Sequence, residues 1–371
     1  MSETTIKQIE NFVRNCVLDF SYWWWTRGHK NQHRTPEPKK ILCIELGCLG
    51  DQIAITPALK SLSDYYPFAH ITLLTLSDQV DTLKGLPFIH EIVPEIPNDL
   101  LRFDWLVVFY AGRVWHLKKY QRLQIIPFKI GVANHGMASS HFPNLDRKVK
   151  YPHEPKHMVE SNLDVIRLVV PEHAIQKRMY LASRGNIARD YLNGTREYVP
   201  TKRTIILHPG SKGIDKYDIS ASHFWPYERW AAVADYFIKD YNIIITGTMN
   251  EMFLYRSICN SMQDSRNVIC CFGFDKGLLF SLIKKADLII SIDSGPVHIS
   301  SGFFRPIISL MGPELPEIWR PWSKNGKYLF HDEVCTRCRK LRCKYGSAKC
   351  MQAITIKEVI SFAEELLSYT K

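Results

Sequence analysis

The stretch DLIISIDSGPVHISSG (residues 287–302) decides the fold prediction. Its first part, DLIISI, is an apolar, β-branched run of the kind that forms a strand buried on both faces of a parallel sheet. The run ends abruptly in the polar and turn-forming residues DSGPVH (residues 293–298), which favour a turn into a helix. Ligands of open α/β sheets bind at the carboxyl ends of the strands. The stretch therefore predicts a parallel sheet with a binding site at this turn.

Apolar, β-rich runs alternate with helical runs along most of the chain. The strand candidates of the first series are KKILCIEL, HITLLTL, FDWLVVFY and FKIGV, and a helix is predicted from Asp51 to Tyr65. The second series contains RTIILH, NIIIT, NVICC, DLIISI and RPIISL. This alternation predicts an α/β fold with two doubly wound, Rossmann-like domains facing a central cleft. The domains are predicted over residues 39–185 and 186–371, with the polar stretch 141–200 as the bridge.

Composition and charge narrow the function classes. The 371 residues are 46% hydrophobic and 23% charged, an ordinary globular composition with a length that suits two domains. The sequence has no run of about 20 uncharged apolar residues and no signal-peptide pattern, so it predicts a cytoplasmic protein. The net charge of +11 suits phosphates on sugars, nucleotides or lipids as well as nucleic acid. Nucleic acid is not expected as a partner, because no basic and aromatic recognition module appears.

The N-terminal extension, residues 1–38, differs from the rest of the chain. Apolar residues recur there at spacings of three and four up to Trp23, Trp24 and Trp25, which predicts an amphipathic helix. A basic, proline-bearing linker follows directly. Aromatic side chains beside cations are typical of helices in a lipid interface. We therefore expect peripheral binding to the inner face of the cell membrane. A helix packed on the protein's own domain or on a second subunit is the alternative.

The turn after DLIISI has the features of an anion site. Asp293 is predicted at the carboxyl end of its strand, and Ser294 and Gly295 open a helix whose N–H groups and dipole favour a phosphate. Gly295 allows close approach of the backbone, and His298 on the first turn faces the same way. The alternative is structural: Asp293 or Ser294 caps the helix, and His298 is a core residue.

A second loop is predicted at the same edge of the sheet. LHPGSKGIDKYDISASHFWP (residues 207–226) leaves the strand RTIILH and carries Ser211, Lys212, Lys216 and His223. A hydroxyl and cations at a strand end suit a phosphate group. The loop therefore predicts a second contact to the same ligand.

A third loop belongs to the first domain and faces the cleft from the opposite wall. In ELGCLGDQIAITPAL (residues 45–59), Gly47 and Gly50 form a tight turn and Asp51 opens a helix. The glycine spacing is not that of the dinucleotide-binding fingerprint, and the lysine and hydroxyl of a P-loop are absent.

The motifs together resemble glycosyltransferase family 9, the ADP-heptose:lipopolysaccharide heptosyltransferase family. The resemblance rests on an ordered set that runs from residue 39 towards the C-terminus: ILCIELGCLGDQIAITPALKSL, ILHPGS, WPYERWAAVADYF, IIITGTMNE, ADLIISIDSGPVHISSG and SLMGPELP. It implies a GT-B fold and inverting transfer of a sugar from a nucleotide donor, with no metal or cofactor required for the transfer.

Residue roles are implied by the same resemblance. Asp51 matches the family's general base, which takes the proton of the acceptor hydroxyl. The turn at residues 293–298 matches the loop that binds the donor phosphates, where a helix N-terminus stabilises the departing diphosphate. Gly210 and Ser211 match a second phosphate-binding loop.

Two positions depart from the family's pattern. His223 stands where a phosphate-binding lysine is expected, so Lys212 or Lys216 is predicted to supply that charge. Glu45 stands where the family usually has a basic residue.

The segment CTRCRKLRCKYGSAKC (residues 335–350), called here the Cys-rich segment, contains Cys335, Cys338, Cys343 and Cys350. Four thiolates in a short loop can bind zinc or iron, so a structural zinc or iron site is predicted. Four reduced thiols packed under a loop are the alternative. No base is placed beside them, and a catalytic role is not expected.

The sequence as a whole predicts a glycosyltransferase that adds a heptose or similar sugar, from an ADP-heptose type of donor, to a lipopolysaccharide-type acceptor. Two alternatives stay open. One is a transferase of the same fold that modifies a protein or another surface glycan. The other is a catalytically silent partner that binds sugar nucleotides, suggested by Glu45 and His223.

Overall fold

The chain forms two six-stranded parallel sheets, seen in a computed structural model. The structure describes residues 37–109, 118–133, 145–150, 154–211, 221–332, 335 and 337–369. The predicted amphipathic helix of the N-terminal extension lies outside the described residues, as do Lys212 and Lys216. Within these ranges, no helix has the length and apolar character needed to cross a membrane.

The first sheet has the strand order β3-β2-β1-β4-β5-β6. Its strands are β1 (Lys40–Ile44), β2 (His70–Leu74), β3 (Glu91–Val93), β4 (Trp105–Val108), β5 (Phe128–Ala133) and β6 (Arg147–Lys150). In the register, Ile41 of β1 lies between Ile71 of β2 and Trp105 of β4. Because the chain builds outward from β1 in both directions, the carboxyl end of β1 borders the crevice where such sheets bind ligands.

The second sheet repeats this arrangement with the order β12-β11-β10-β7-β8-β9. Its strands are β7 (Arg203–His208), β8 (Tyr241–Gly247), β9 (Val268–Phe272), β10 (Leu288–Ile292), β11 (Ile307–Leu310) and β12 (Gly326–Leu329). The run DLIISI forms β10, which is buried along its whole length as its continuous apolar sequence predicts. Here the crevice lies between the ends of β7 and β10, which are neighbours in the sheet.

Helices cover the sheets. In the described ranges they are α1 (Leu49–Ala54), α2 (Thr56–Tyr65), α3 (Met158–Arg167), α4 (Ile187–Asn193), α5 (Tyr227–Phe237), α6 (Met252–Ser261), α7 (Lys276–Lys285), α8 (Gly295–Phe303), α9 (Pro316–Trp319), α10 (Lys349–Ala353) and α11 (Ile356–Ser368). The single helix predicted from Asp51 to Tyr65 was wrong, because it breaks at Ile55. Pro57 has no N–H for the carbonyl of Ile53, and the hydroxyl of Thr56 donates to that carbonyl instead, at 2.7 Å.

The stretch 141–200, predicted as a bridge, contains elements of both units. Strand β6 pairs with β5 in the first sheet, and α4 packs on α7 beside the second. Three of the four residues of β6, Arg147–Lys150, are cationic, which is typical of an edge strand. Such a strand contains too few apolar residues to be predicted from the sequence. One buried core connects the two sheets, running from Ile41 through helix α3 to residues of the second sheet. The predicted α/β fold with two parallel sheets is confirmed, while the predicted boundary at residue 185 stays a prediction.

Candidate active site

Asp51 lies on the first turn of α1, directly after the end of β1. One oxygen of its carboxylate, Oδ2, accepts a hydrogen bond from the N–H of Cys48 at 2.8 Å. A Cβ atom on Gly47 would lie only 2.5 Å from the Cγ and Oδ2 atoms of Asp51. Glycine at position 47 therefore makes room for the carboxylate to fold back over the loop.

A second carboxyl group, that of Glu45, lies beneath this loop. Glu45 is 1% exposed, and its Oε1 accepts the N–H of Gly47 at 2.8 Å. The other oxygen, Oε2, is buried with no hydrogen-bond partner among the residues that the structure describes. Burial and then the charge of Asp51 raise the pKa of Glu45 to about 8. Burial therefore favours the neutral form of Glu45 near pH 7.

The turn from β10 into α8 leaves the start of the helix without a side-chain cap. Ser294 is the N-cap residue, yet its hydroxyl donates back to the carbonyl of Ile292 at 3.2 Å and makes no capping bond. Capping by Ser294, one part of the structural alternative, is therefore wrong, whereas its other part, a buried His298, agrees with the structure. The first-turn N–H groups of α8 are not capped by this hydroxyl, as an anion site requires.

His298 connects this turn to the first sheet. The ring is 5% exposed and packs edge-to-face on Trp319, with centroids 5.7 Å apart. Burial lowers its pKa to about 4, so the ring is neutral at pH 7. Its Nδ1 atom is buried and makes no hydrogen bond to any part of the chain in the described ranges. A Cβ on Gly50 would lie 2.6 Å from Cδ2 of His298, so the loop that carries Asp51 touches α8 directly.

The loop after β7 meets an acidic residue that the sequence did not single out. A Cβ on Gly210 would lie 2.5 Å from the carboxylate of Glu251. Oε2 of Glu251 accepts the N–H and the hydroxyl of Thr248, each at 2.8 Å. Ser211 follows Gly210, and the described part of this loop continues at Ala221. The motif IIITGTMNE contains Glu251, but the sequence does not show that β8 lies beside β7.

Glu314 is another acidic residue that the sequence reading missed. It lies in the loop after β11 and acts electrostatically on Asp293 after β10. Asp293 is half-buried, and burial and then the charge of Glu314 raise its pKa to about 8. Burial likewise raises the pKa of Glu314. At pH 7 the second sheet therefore presents a neutral Asp293 at the crevice, which reduces repulsion of an anionic ligand.

Comparison with known proteins decides the family. Residues 121–349 match the family model described as glycosyltransferase family 9 (heptosyltransferase). The chain belongs to this family. It is 23% identical over 353 residues to lipopolysaccharide heptosyltransferase 3 of Escherichia coli K12, covering 86% of this chain and 95% of that one.

Solved structures agree on the fold. The family 9 glycosyl transferase of Veillonella parvula superposes with a TM-score of 0.71 at 21% identity, covering 89% of this chain and 97% of that one. ADP-heptose lipopolysaccharide heptosyltransferase II of E. coli superposes with a TM-score of 0.69 at 18% identity, covering 89% and 99%. The GT-B fold implied by the sequence resemblance is confirmed.

His223, the departure from the glycosyltransferase pattern, is 7% exposed, and burial lowers its pKa to about 4. A neutral imidazole does not replace the charge of a lysine. The predicted substitutes, Lys212 and Lys216, lie outside the described residues, so that part of the site stays a prediction.

The four cysteines of the Cys-rich segment lie near one another. Cys350 is buried, and its pKa is raised to about 11 by burial and, to a smaller extent, by the three other thiols. Cys338 is exposed. Within the described ranges no three His, Cys, Asp or Glu side chains are arranged to hold a metal ion. The thiols suit zinc or iron by their chemistry, but their arrangement here does not close a site.

Proposed function

We propose that this glycosyltransferase transfers a heptose or similar sugar from an ADP-heptose type of donor to a lipopolysaccharide-type acceptor, with inversion at the anomeric carbon. The observation that carries the proposal is the direct contact between Gly50 and His298. It brings the first turn of α1, which carries Asp51, next to the first turn of α8, so the proposed base and the proposed anion site would border the same crevice. Two relatives are named as lipopolysaccharide heptosyltransferases, which favours the same donor and acceptor class.

The donor diphosphate would bind at the start of α8. Helix N–H groups that carry no side-chain cap, together with the helix dipole, stabilise phosphate charge. The buried Nδ1 of His298 is a polar atom without a partner in the described part of the chain, and as a donor tautomer it would serve a phosphate oxygen. Gly210 and Ser211 after β7 flank the same crevice.

The reaction would be a single displacement in which Asp51 acts as general base. The carboxylate of Asp51 takes the proton of the acceptor hydroxyl while the hydroxyl oxygen attacks the anomeric carbon. The bond from that carbon to the donor phosphate breaks, and its electron pair leaves with the diphosphate. Stabilisation of the leaving charge by the helix start makes a metal ion unnecessary in this scheme.

A donor and acceptor panel tests the proposal. Release of nucleoside diphosphate is measured with ADP-heptose, other nucleotide sugars, and lipopolysaccharide acceptors truncated at successive core sugars. We expect turnover with ADP-heptose and one truncated acceptor, and its loss in Asp51→Asn but not in Asp64→Asn, which changes an exposed α2 aspartate paired with Lys60. Turnover only with a protein or another glycan would contradict the lipopolysaccharide-type acceptor and favour a transferase of the same fold that acts on that molecule. Donor binding with no turnover on any acceptor would favour the silent partner.

Two further predictions accompany this function. Peripheral membrane binding is tested by co-sedimentation with anionic lipid vesicles, comparing the full chain with one that begins at residue 37.

A metal at the Cys-rich segment is tested by elemental analysis for zinc and iron, with Cys335→Ser and Cys338→Ser as controls. Metal at much less than one atom per chain would leave the four cysteines as reduced thiols.

A further inference from the structure

The described residues that are assigned to the donor site include no lysine or arginine. An ADP-type donor would bring a diphosphate to the strand end where Asp293 lies, and Glu314 acts electrostatically on this residue. The ring of His298 is buried, and a buried imidazole favours its neutral form. Cationic side chains that reach this edge are therefore needed to bind the diphosphate.

The Cys-rich segment lies across both sides of the crevice. On one side, the N–H of Arg339 donates to the carbonyl of Pro313 in the loop after β11, at 3.0 Å. On the other, the N–H of Ser222 donates to the carbonyl of Leu341, at 3.0 Å, just before α5. The segment thus contacts the β11 loop and the chain that follows the β7 loop.

Arg339 and Arg337 have similar backbone conformations, but their side chains make different contacts. Both have left-handed backbones, with φ of 51° and 61°, a conformation that costs free energy for a residue with a side chain. The guanidinium of Arg337 bonds Asp332 at 2.9 Å and Glu317 at 3.0 Å. The guanidinium of Arg339 forms an ion pair with Glu314, in which Nε lies 3.8 Å from Oε2 and so beyond hydrogen-bond distance, and the side chain is 56% exposed. Among the described residues, Arg339 makes no side-chain hydrogen bond.

We infer that Arg339 contacts the diphosphate of the nucleotide-sugar donor. Its backbone is bonded to the β11 loop at Pro313, so its guanidinium stays beside Glu314, which in turn acts electrostatically on Asp293. A planar guanidinium with unused donors matches phosphate oxygens in pairs, which a lysine does not. The inference rests on the proposed donor site and supplies it with a cation from a segment that the sequence had singled out only for its cysteines.

The test compares ADP with adenosine in titration calorimetry at low and physiological salt. A charge-assisted hydrogen bond to phosphate is worth a change of about 10- to 100-fold in affinity. We expect Arg339→Ala to weaken ADP binding by that factor and Arg339→Lys to recover part of it. Adenosine binding should not change, because adenosine lacks the diphosphate. The variant should also show a weaker salt dependence of ADP binding, because one ionic contact is lost.

Arg337→Ala is the matched control, since it lies in the same segment and also has a left-handed backbone. We expect it to lower the melting temperature while leaving the affinity for ADP within about threefold, because its side chain is engaged with Asp332 and Glu317. If wild type binds ADP and Arg339→Ala binds it equally well, the inference is overturned and the donor site stands. If Arg337→Ala weakens ADP binding as much as Arg339→Ala does, the inference is also overturned, because a general disturbance of the segment then explains both losses. If wild type binds no ADP at millimolar concentration, the proposed donor site and the inference fail together.

Discussion

Replacing Glu45 by Gln should stabilise the protein, and increasingly so as the pH rises. In the folded chain the pKa of Glu45 is raised to about 8, whereas its ordinary value is 4.5. Between these values the unfolded chain has lost the proton and the folded chain keeps it, so unfolding releases a proton and stability falls with rising pH. Over the range from pH 5 to pH 8 this group alone costs about 3 kcal/mol.

The variant Glu45→Gln removes the ionisation and keeps an oxygen that can accept the N–H of Gly47. We therefore expect nearly equal melting temperatures at pH 5 and a variant that melts about 6 °C higher at pH 8, at about 2 °C per kcal/mol for a chain of this size. Differential scanning calorimetry from pH 5 to pH 8 measures the difference in melting temperature between the variant and wild type. The contributions of titrating groups that the two proteins share cancel in this difference.

Glu95→Gln, at an exposed position, is the control and should give a difference that does not change with pH. A difference for Glu45→Gln that is flat from pH 5 to pH 8.5 would refute the assignment of a neutral, buried acid beside Asp51.

Two other predictions concern the cleft. Gly50→Ala places a Cβ 2.6 Å from the ring of His298, so it should cost about 1–3 kcal/mol of stability and lower kcat/KM. Gly194→Ala, where the added Cβ meets only ordinary contacts, is the control and should change neither quantity. A wild-type kcat/KM in Gly50→Ala would argue against a functional contact. Affinity for ADP should fall as the pH passes about 8, where Asp293 ionises and repels the diphosphate. Asp293→Asn should bind ADP without this decline, and a decline of equal size in the variant would assign it to another group.

The long apolar strands could be predicted from the sequence, and the short edge strands could not. Runs such as DLIISI and RTIILH are buried on both faces, so their composition alone separates them from helices and loops. Glu91–Val93, Arg147–Lys150 and Gly326–Leu329 are edge strands of three or four residues. Their backbones pair on one side only, and most of their described side chains are at least partly exposed, so they carry little apolar signal.

The candidate site was predictable where a single strand end determines it. Asp51 and Asp293 each follow their own strand, so the rule for carboxyl ends places them at a crevice without further information. Glu251 and Glu314 act on neighbours from other strands, Gly210 after β7 and Asp293 after β10. Their positions depend on which strands lie side by side, and the sequence does not determine that order.

The buried state of the histidines was also beyond the sequence. His223 stands where the family pattern has a lysine, and in the structure it is 7% exposed, with its pKa lowered by burial to about 4. A side chain's charge depends on the protein around it, which the residue type alone does not supply.

The most direct test of the proposed reaction measures donor affinity and transfer rate on the same preparation of Asp51→Asn. Because Asp51 belongs to the first sheet and the donor phosphates are assigned to the second, the variant should bind ADP within about threefold of wild type while the transfer rate falls about 10²- to 10⁴-fold. A transfer rate close to that of wild type would contradict the role of Asp51 as the base. Loss of ADP binding in parallel with the rate would contradict the division of the two tasks between the walls of the cleft.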